Sequence, residues 1–298
     1  MSRHWTALPN FVDCAVFRPV ASVAEKQALR EALGIPADAL VIGCVAAVKK
    51  HHKRIDYLIR EFSRLSDVAN RWKNEKIEQK EREERKGLGS SAGGGKEKSS
   101  LFPPFPSVQI PYLLIAGAGT GDTAELIALA ESLIPGRHKI LTDCSRDRMP
   151  GLYRAMDVFV LTSLFEMMPI ALLEGLASGL PVITHNHPVM TWMTGARKEF
   201  EQKESKEREG IGFAAEGGKE KSSLFPSFPS VQTSSFCGGL AIDMSKEGEL
   251  AAALGGLTPE WIAEHGRQAR ERAVSMFSKE AVIGRYVEYY RQVLADEG

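Results

Sequence analysis

The sequence predicts an α/β fold with a single doubly wound parallel sheet. Short apolar runs alternate with segments of helical period from about residue 40 to residue 243, once two inserted blocks are set aside. Such alternation is typical of a parallel sheet that carries helices on both faces. With 298 residues and a hydrophobic content of 43%, the chain can also bury a core of ordinary size. The pattern therefore predicts one globular domain of Rossmann-like type.

The strands are predicted from the apolar runs, and the helices from apolar residues at i, i+3, i+4 and i+7. The strands lie near residues 40–47, 111–116, 138–142, 157–161, 181–184 and 239–243. The clearest helices carry Ile55, Leu58, Ile59, Phe62 and Leu65, and then Leu126, Leu129, Ala130 and Leu133. Two more helices follow the last strand, one beginning at Thr258-Pro259-Glu260 and one running from about Ser278 to Leu294.

The last of these helices has an apolar stripe formed by Val282, Tyr286, Tyr289 and Val293. Two interpretations of the stripe stay open. It packs on its own domain, or it forms an exposed docking face.

Two blocks interrupt the alternation, and they are copies of each other. Residues 78–109 repeat as residues 201–232 without a gap. Each copy begins with charged residues and continues into Gly, Ser, Lys and Pro, a composition that cannot bury enough apolar surface to offset the entropy of ordering. We therefore expect two disordered inserted loops, 74–110 and 197–237. A weaker alternative is that the PxxP segment in each copy docks in an aromatic groove.

Composition excludes several classes of partner. Lys plus Arg equals Asp plus Glu at 38 each, so no net charge favours nucleic acid. The N-terminus has no apolar leader, and no apolar run approaches the ~20 residues of a membrane-spanning helix. The four cysteines show no C-x-x-C spacing. We expect a cytoplasmic protein with no transmembrane segment, for which peripheral membrane contact stays open.

The most informative stretch runs from residue 163 to residue 182. Glu166 and Glu174 stand eight residues apart, and Pro169 between them suits the first position of a helix. The free N–H groups of this helix, near Met168, Ile170 and Ala171, would point into the crevice at the carboxyl end of a strand and attract an anion. Two carboxylates on either side of an anion site match a nucleoside diphosphate sugar, which has hydroxyl-bearing rings on both sides of a diphosphate.

The E-x7-E arrangement, followed by Gly179-Leu180-Pro181-Val182, resembles the C-terminal, donor-binding half of retaining glycosyltransferases of the GT-B fold (glycosyl transferases group 1, family 4 type). Four other segments resemble the same family in the same order, namely Leu8–Asp13 with Phe17–Pro19, Lys53–Leu58, Tyr112–Gly119 and Leu152–Val160. On this resemblance, residues 1–20 are the linker from an N-terminal half, and residues 21–298 are the nucleotide-sugar-binding domain.

The resemblance implies transfer of a sugar from a nucleoside diphosphate sugar to an acceptor hydroxyl, with retention of anomeric configuration. This chain would supply the donor-binding half, without a metal or other cofactor. The family recognises the acceptor with its N-terminal half, so a separate N-terminal acceptor domain is an expected partner and the acceptor is unknown. The alternative is a non-catalytic, truncated nucleotide-sugar-binding domain or a degraded gene product.

The resemblance also implies residue roles. Glu166, the expected catalytic residue, would contact the hydroxyls of the donor sugar, and Glu174 would contact the ribose. The alternative is that both are surface helix carboxylates. Backbone groups of Met167, Met168, Pro169 and Ile170 would meet the sugar and diphosphate, and the loop that contains Cys144 and Ser145 would meet the nucleobase.

A basic run after the first strand would bind the diphosphate. It contains Lys49, Lys50, Lys53 and Arg54, and Lys53 corresponds to the phosphate-binding lysine of the family. The partner arginine of the family falls on Val48, so Lys49 or Lys50 would have to supply that charge, although lysine lacks the fixed geometry of arginine. The alternative is a solvated surface patch.

Two other interpretations are weaker. Gly117, Gly119 and Gly121 suggest a dinucleotide-binding loop, but Asp122 follows where the spacing needs a later glycine, and the loop follows the second strand rather than the first. The pairs His51-His52 and His185-x-His187 could be metal ligands, but no third ligand recurs at a useful spacing.

Overall fold

The computed structural model of the chain describes residues 8–65, 110–196 and 237–296. Within these residues six parallel strands form one sheet in the spatial order β3-β2-β1-β4-β5-β6. The strands are β1 (Leu40–Val45), β2 (Pro111–Gly117), β3 (His138–Thr142), β4 (Val158–Leu161), β5 (Val182–His185) and β6 (Gly239–Ile242). The predicted α/β fold with a doubly wound parallel sheet is confirmed.

Helices connect the strands and cover both faces of the sheet. In chain order they are α1 (Val23–Leu33), α2 (Ile55–Ser63), α3 (Thr123–Leu133), α4 (Met149–Ala155), α5 (Ile170–Ala177), α6 (Pro188–Thr194), α7 (Glu249–Gly255), α8 (Pro259–Arg272) and α9 (Lys279–Asp296). A 3-10 turn precedes α4, and a π-helical turn joins α8 to α9. Among the described helices, none combines the length and the apolarity that crossing a bilayer requires.

The strand order reverses between β1 and β4. β1 pairs with β2 on one side and with β4 on the other. From β1 the chain winds outward to β3, returns to the centre at β4, and winds outward again to β6. The crevice outside the carboxyl ends of β1 and β4 is the topological switch point, where open α/β sheets bind ligands.

Alternate residues of each strand supply two apolar layers. In β4, Phe159 and Leu161 belong to the layer that contacts α4, α5 and α6, whereas Val158 and Val160 belong to the layer that contacts α2, α3 and α7. All four side chains are buried. Because both faces of the central strands are covered, these strands are continuous apolar runs, as the sequence showed.

The predicted strand boundaries agree with the structure to within two residues. One helix boundary was wrong. Pro169 is not the first helical residue but the N-cap of α5, with φ −70° and ψ 118°, and the helix begins at Ile170. Proline fixes only φ, and its φ is compatible with an extended ψ as well as a helical one. The predicted inserted loops fall almost entirely outside the described residues.

The segment before α1 packs against the end of the chain. Val12 forms a parallel bridge with Ser278. The Asp13 carboxylate accepts a hydrogen bond from Lys279 Nζ at 2.7 Å. Arg270 donates to two carbonyl oxygens of the same segment. The first and last described parts of the chain are therefore tied together.

The apolar stripe of α9 is partly buried on its own domain. Val282 is fully buried, and the Tyr286 hydroxyl donates to the Pro9 carbonyl oxygen at 3.1 Å. These contacts agree with the interpretation in which the stripe packs on its own domain. A different row of α9 is exposed, and it comprises Ile283, Val287, Tyr290 and Leu294.

Candidate functional site

Two loops meet at the switch point. One follows β1 and comprises residues 46–54, and the other follows β4 and comprises residues 162–169. The buried hydroxyl of Thr162 donates to the Lys53 carbonyl oxygen at 2.7 Å. This contact links the two loops at the base of the crevice.

Lys53 and Glu166 form an ion pair across these loops. Lys53 Nζ donates to Glu166 Oε1, and the two side chains are only 20% and 11% exposed. His52 Nε2 lies 3.8 Å from the same carboxylate oxygen and donates to the Phe165 carbonyl oxygen at 3.1 Å. The structure thus brings together the residue expected to bind phosphate and the residue expected to bind the sugar.

Glu174 is the fifth residue of α5 and is buried. The Tyr153 hydroxyl donates to Glu174 Oε2 at 2.9 Å. Burial raises the pKa of the Glu174 carboxyl, while the Tyr153 hydrogen bond and the charge of Arg146 act in the opposite direction. Burial also raises the pKa of Tyr153 well above its ordinary value, so the phenol keeps its proton. Glu174 is therefore a fixed, enclosed acceptor rather than a solvated surface carboxylate.

The start of α5 has no side-chain cap. The Leu172 N–H donates to the Pro169 carbonyl oxygen at 3.1 Å, so Ile170 and Ala171 hold the first N–H groups without an intrahelical acceptor. Asn10 Nδ2, from the segment before α1, donates to the Met168 carbonyl oxygen at 3.1 Å and fixes the approach to the helix. The helix start presents donors and the positive end of its dipole.

Large apolar side chains border this helix start. Phe165, Met167 and Ile170 are all exposed, Met167 most of all at 81%. Met168 is half-buried and packs against the apolar layer of α5. The crevice therefore has an apolar rim on the α5 side.

Two of the cations predicted to bind phosphate are held by protein groups. Lys50 Nζ pairs with Glu125, and the Lys50 N–H donates to Asp122 Oδ2 at 2.9 Å. The Arg54 guanidinium donates to the Met244 carbonyl oxygen at 2.6 Å. Both side chains thereby fasten the loop after β1 to neighbouring parts of the domain.

Val48 occupies the position where the resembled family has an arginine. Its side chain is fully buried in the apolar layer that contacts α2 and α3. An arginine there would place a charge in an apolar layer, which is costly without a partner. Lys49 is half-buried, and among the described residues no carboxylate lies within 4 Å of its amine. Lys49 is therefore the cation of this run that remains available.

The loop after β3 contains Cys144 and Ser145. Asp143, just before them, has left-handed backbone with φ 59°. Cys144 is half-buried and Ser145 is exposed, and a 3-10 turn follows them. Burial raises the pKa of Glu174, and the charge of Arg146 in this turn partly opposes that rise, so the turn lies near α5.

The two weaker interpretations find little support in the geometry. A Cβ on Gly117 would lie 1.8 Å from the Ala46 carbonyl oxygen, so this glycine serves the close approach of two loops. His185 Nδ1 accepts a hydrogen bond from the Met244 N–H at 3.2 Å, and burial lowers the pKa of His185 and His187. Within residues 8–65, 110–196 and 237–296, no group of three His, Cys, Asp or Glu side chains could hold a metal ion.

A model of the family described as glycosyl transferases group 1 matches residues 105–199. The matched segment contains four of the six strands, from β2 to β5, together with α5 and both glutamates. The part of the chain that carries both glutamates is therefore similar to the glycosyl transferases group 1 family.

One curated protein and several solved structures are similar to this chain over different shares of its length. EpsF of Bacillus subtilis (strain 168), whose name describes a glycosyltransferase, is 30% identical over 181 residues, which are 59% of this chain and 34% of EpsF. HepE of Anabaena, solved in complex with UDP and glucose, is 14% identical with a TM-score of 0.60, over 96% of this chain and 57% of HepE.

A third relative is itself a single domain. The C-terminal domain of a glycosyl transferase group 1 family protein, LpcC from Francisella tularensis, is 15% identical with a TM-score of 0.53, over 90% of this chain and 98% of that domain. The chain thus spans about a third of EpsF and a little over half of HepE, but nearly all of the LpcC domain. The described sheet is the C-terminal half of a GT-B fold.

Three residues of the site were not identified from the sequence. Tyr153 fixes Glu174, Thr162 joins the two loops, and Asn10 contacts the start of α5. Each acts through a contact between residues far apart in sequence, so local spacing carried no signal for the pairing. The family segments that resemble Leu8–Asp13 and Leu152–Val160 contain two of them and were the available clue.

Proposed function

We propose that this chain is the donor-binding half of a retaining glycosyltransferase that needs no metal. A nucleoside diphosphate sugar binds in the crevice at the switch point, the sugar moves to an acceptor hydroxyl, and the nucleoside diphosphate leaves. The observation that carries the proposal is the Lys53–Glu166 pair, which stands across the crevice mouth beside the uncapped start of α5.

The diphosphate binds between a cationic loop and a helix start. Negative charge builds on the leaving phosphate during transfer, so preorganised cations and N–H donors stabilise the transition state. Lys49 and Lys53 supply the charge from one side, and the N–H groups of Ile170 and Ala171 supply donors from the other. These groups neutralise the leaving group in place of a divalent metal.

The two glutamates hold the rings on either side of the diphosphate. Lys53 occupies Oε1 of Glu166, which leaves Oε2 to accept a hydroxyl of the donor sugar. Tyr153 occupies Oε2 of Glu174, which leaves Oε1 for the ribose. Hydrogen bonds from hydroxyls to carboxylates are short and strong. Backbone groups of residues 167–170 contact the sugar, and the loop that contains Cys144 and Ser145 contacts the nucleobase.

The first donors to test are UDP sugars. HepE, which shares the fold, is known in complexes with UDP and with UDP-glucose. The acceptor is bound by a separate N-terminal half, which is not represented in the described fold. The exposed row of α9 offers an apolar surface on which that half can dock. All four cysteines are free thiols, which fits a reducing cytoplasm, the compartment we assign.

Calorimetry on the whole chain tests the donor site. UDP, GDP and ADP sugars are titrated in turn, with and without EDTA. We expect one nucleotide class to bind with unit stoichiometry and EDTA to leave its affinity unchanged. Glu174→Ala should abolish the heat, whereas Glu280→Ala, on the exposed side of α9, should not.

Two outcomes would contradict the proposal. If no nucleotide sugar gives heat with a folded chain, the alternative of a non-catalytic domain is favoured. If EDTA removes binding, the metal-free part of the proposal is wrong. Retention is tested separately, by NMR of the anomeric proton of the product once an acceptor half has been supplied.

A further inference from the structure

A cleft of about 500 Å³ lies at the amino edge of the sheet, on the opposite side from the switch point. Its lining includes Asp157, directly before β4, and Leu180, shortly before β5. Apolar side chains of Val20 and Ile262 also line it. A cleft of this size can enclose a small organic molecule.

Ser178, which also lines the cleft, has an unsatisfied hydroxyl. The residue is only 4% exposed, and among the described residues its Oγ has no hydrogen-bond partner. Burying a hydroxyl without a partner destabilises a fold, so such a group calls for an explanation. A polar ligand atom in the cleft would supply the missing partner.

Basic side chains in and near the cleft outnumber the carboxylates with which they form ion pairs. Lys26 and Arg30 both pair with Asp157, each at 2.6 Å. Arg18 and Arg154 both pair with Glu25, each at 3.2 Å. Four cations therefore share two anions at this edge.

A fifth cation, Arg270, has only neutral partners. It donates to the carbonyl oxygens of Cys14, Phe17 and Ala177, and among the described residues no carboxylate lies within 4 Å of it. Arg267, a sixth, pairs with both Glu264 and Glu271. The residues that line the cleft itself include four cations, Lys26, Arg154, Arg267 and Arg270, and two carboxylates, Asp157 and Glu271, which is an excess of two positive charges.

We propose that this cleft binds a small phosphate monoester with a partly apolar organic group. Lys26, Arg154 and Arg270 line the cleft and face the phosphate, and Ser178 donates its hydroxyl hydrogen to a phosphate oxygen. The apolar group lies against Val20, Leu180 and Ile262. Arginine is suited to such a ligand because its fixed fork matches two phosphate oxygens. The site is independent of the donor crevice, because the two lie at opposite edges of the sheet.

Calorimetry with phenyl phosphate tests the site on the whole chain. Titrations are run with saturating UDP and also with the variant Lys53→Ala, so that phosphate bound in the donor crevice is not counted. We expect one equivalent to bind under both conditions. Inorganic phosphate should bind at least tenfold more weakly, because it lacks the apolar ring. Phenol should not bind, because it lacks the phosphate.

Matched variants locate the binding. Ala263→Trp fills the cleft from α8 and should abolish binding, while Ala252→Trp, at an exposed position of α7, should leave it unchanged. Ser178→Ala should weaken binding about fivefold, the effect of one lost hydrogen bond. The melting temperature of each variant shows that it is folded.

Several results would overturn the proposal. The proposal is wrong if phenyl phosphate gives no heat with wild type, or if it binds equally well to folded Ala263→Trp. Equal affinities for inorganic phosphate and phenyl phosphate would refute recognition of the organic group. The donor function has its own readout, since UDP binding can fail while phenyl phosphate binding to Lys53→Ala persists.

Discussion

Lys49 and Lys50 are neighbours in sequence but have different surroundings. Lys50 is paired with Glu125, and the two side chains are 38% and 70% exposed, whereas Lys49 has no carboxylate partner among the described residues. We predict that Lys49→Ala weakens UDP binding about tenfold, the loss of one charge-assisted contact. Lys50→Ala should change affinity less than twofold, because an exposed ion pair contributes little. Calorimetry with UDP at fixed ionic strength measures both.

An equal or larger loss in Lys50→Ala would contradict this assignment. It would mean that the Lys50–Glu125 pair opens on binding and that Lys50 moves to the diphosphate. The double variant Lys50→Ala with Glu125→Ala separates the two cases, since it removes the pair without leaving an unpaired carboxylate.

Glu174 should make stability and donor binding respond to pH in opposite directions. Its pKa is raised in the folded chain, chiefly by burial, so the ionised form is penalised on folding. Stability from this group is full below the unfolded pKa and is lost as pH rises through the folded pKa. We predict that Glu174→Gln melts at the same or a higher temperature than wild type at pH 7, and that its advantage shrinks as pH falls toward 4.

Donor binding needs the ionised carboxylate as an acceptor, so UDP-sugar affinity of the wild type should fall as pH drops through the raised pKa of Glu174. Glu174→Gln should bind weakly at every pH. Thermal melts and calorimetry over pH 4–8 measure the two quantities. A lower melting temperature of Glu174→Gln at pH 7 would show that the ionised carboxylate stabilises the fold instead.

At the residue scale, the sequence predicted which lysines and glutamates belong to the site, but not which groups their side chains contact. Glu166 and Lys53 were identified separately, and their contact depends on the adjacency of β1 and β4, which spacing does not encode. Lys50 and Arg54 were assigned to phosphate, yet their side chains contact Glu125 and Met244. Basic residues in one run point in different directions once a loop folds, and only tertiary structure distinguishes them.

The helix α7 depends on a carboxylate from α2. Glu61 is 1% exposed and accepts hydrogen bonds from the N–H groups of Gly248 at 2.8 Å and Ala251 at 3.0 Å. It thereby satisfies donors at the start of α7 that have no intrahelical acceptor. We predict that Glu61→Ala lowers the free energy of unfolding by about 2–3 kcal/mol, because a charge-assisted cap is lost and one buried and one partly buried N–H group lose their acceptor.

The control for Glu61 is Glu247, which is 78% exposed and shares the partner Arg64. Glu247→Ala should cost less than about 1 kcal/mol, as exposed ion pairs do. Urea unfolding followed by circular dichroism measures both variants. Equal losses would mean that the Arg64 ion pairs, rather than the cap, hold α2 to α7.

At the element scale, the sequence predicted the strands better than the short helices. The central strands are covered on both faces and so are continuous apolar runs. The helices α4, α6 and α7 have seven residues each, too few to display a period, and their stability comes from packing rather than propensity. Helix α1 went unpredicted although Ser22 and Glu25 form a capping signal at its start.

At the scale of the whole molecule, the alternation of elements predicted the fold class but not the spatial order of the strands. The switch point exists because β4 returns to the side of β1 opposite β2. Hydrophobic period says which residues are buried and nothing about which strand is the neighbour. The structure supplies that information through the pairing of β1 with β4, and the position of Lys53 beside Glu166 follows from it.

The second duplicated block begins and ends at neighbouring points of the described domain. The Gly238 N–H donates to the Thr194 carbonyl oxygen at 2.9 Å, so the chain leaves and re-enters the domain at adjacent points on either side of residues 201–232. Deleting that block leaves eight residues between Ala196 and Cys237, enough to close a gap of this size. Deleting residues 78–109 leaves twelve residues between Leu65 and Ile110. Neither deletion touches a strand or helix of the described sheet.

We predict that the double deletion melts within roughly 4 °C of the full chain and keeps its UDP affinity. Shortening an unpacked loop of 40 residues to eight lowers its closure entropy by only about 1.4 kcal/mol, and for a domain of this size such a change shifts the melting temperature by a few degrees. Calorimetric melts and UDP titrations of each single deletion and of the double deletion measure this. If the inserts packed on the domain, their removal would expose the apolar surface that they cover, and the melting temperature would drop well beyond this range. A loss confined to one deletion would then locate the packed copy, because the two copies have nearly the same sequence but join the domain at different points.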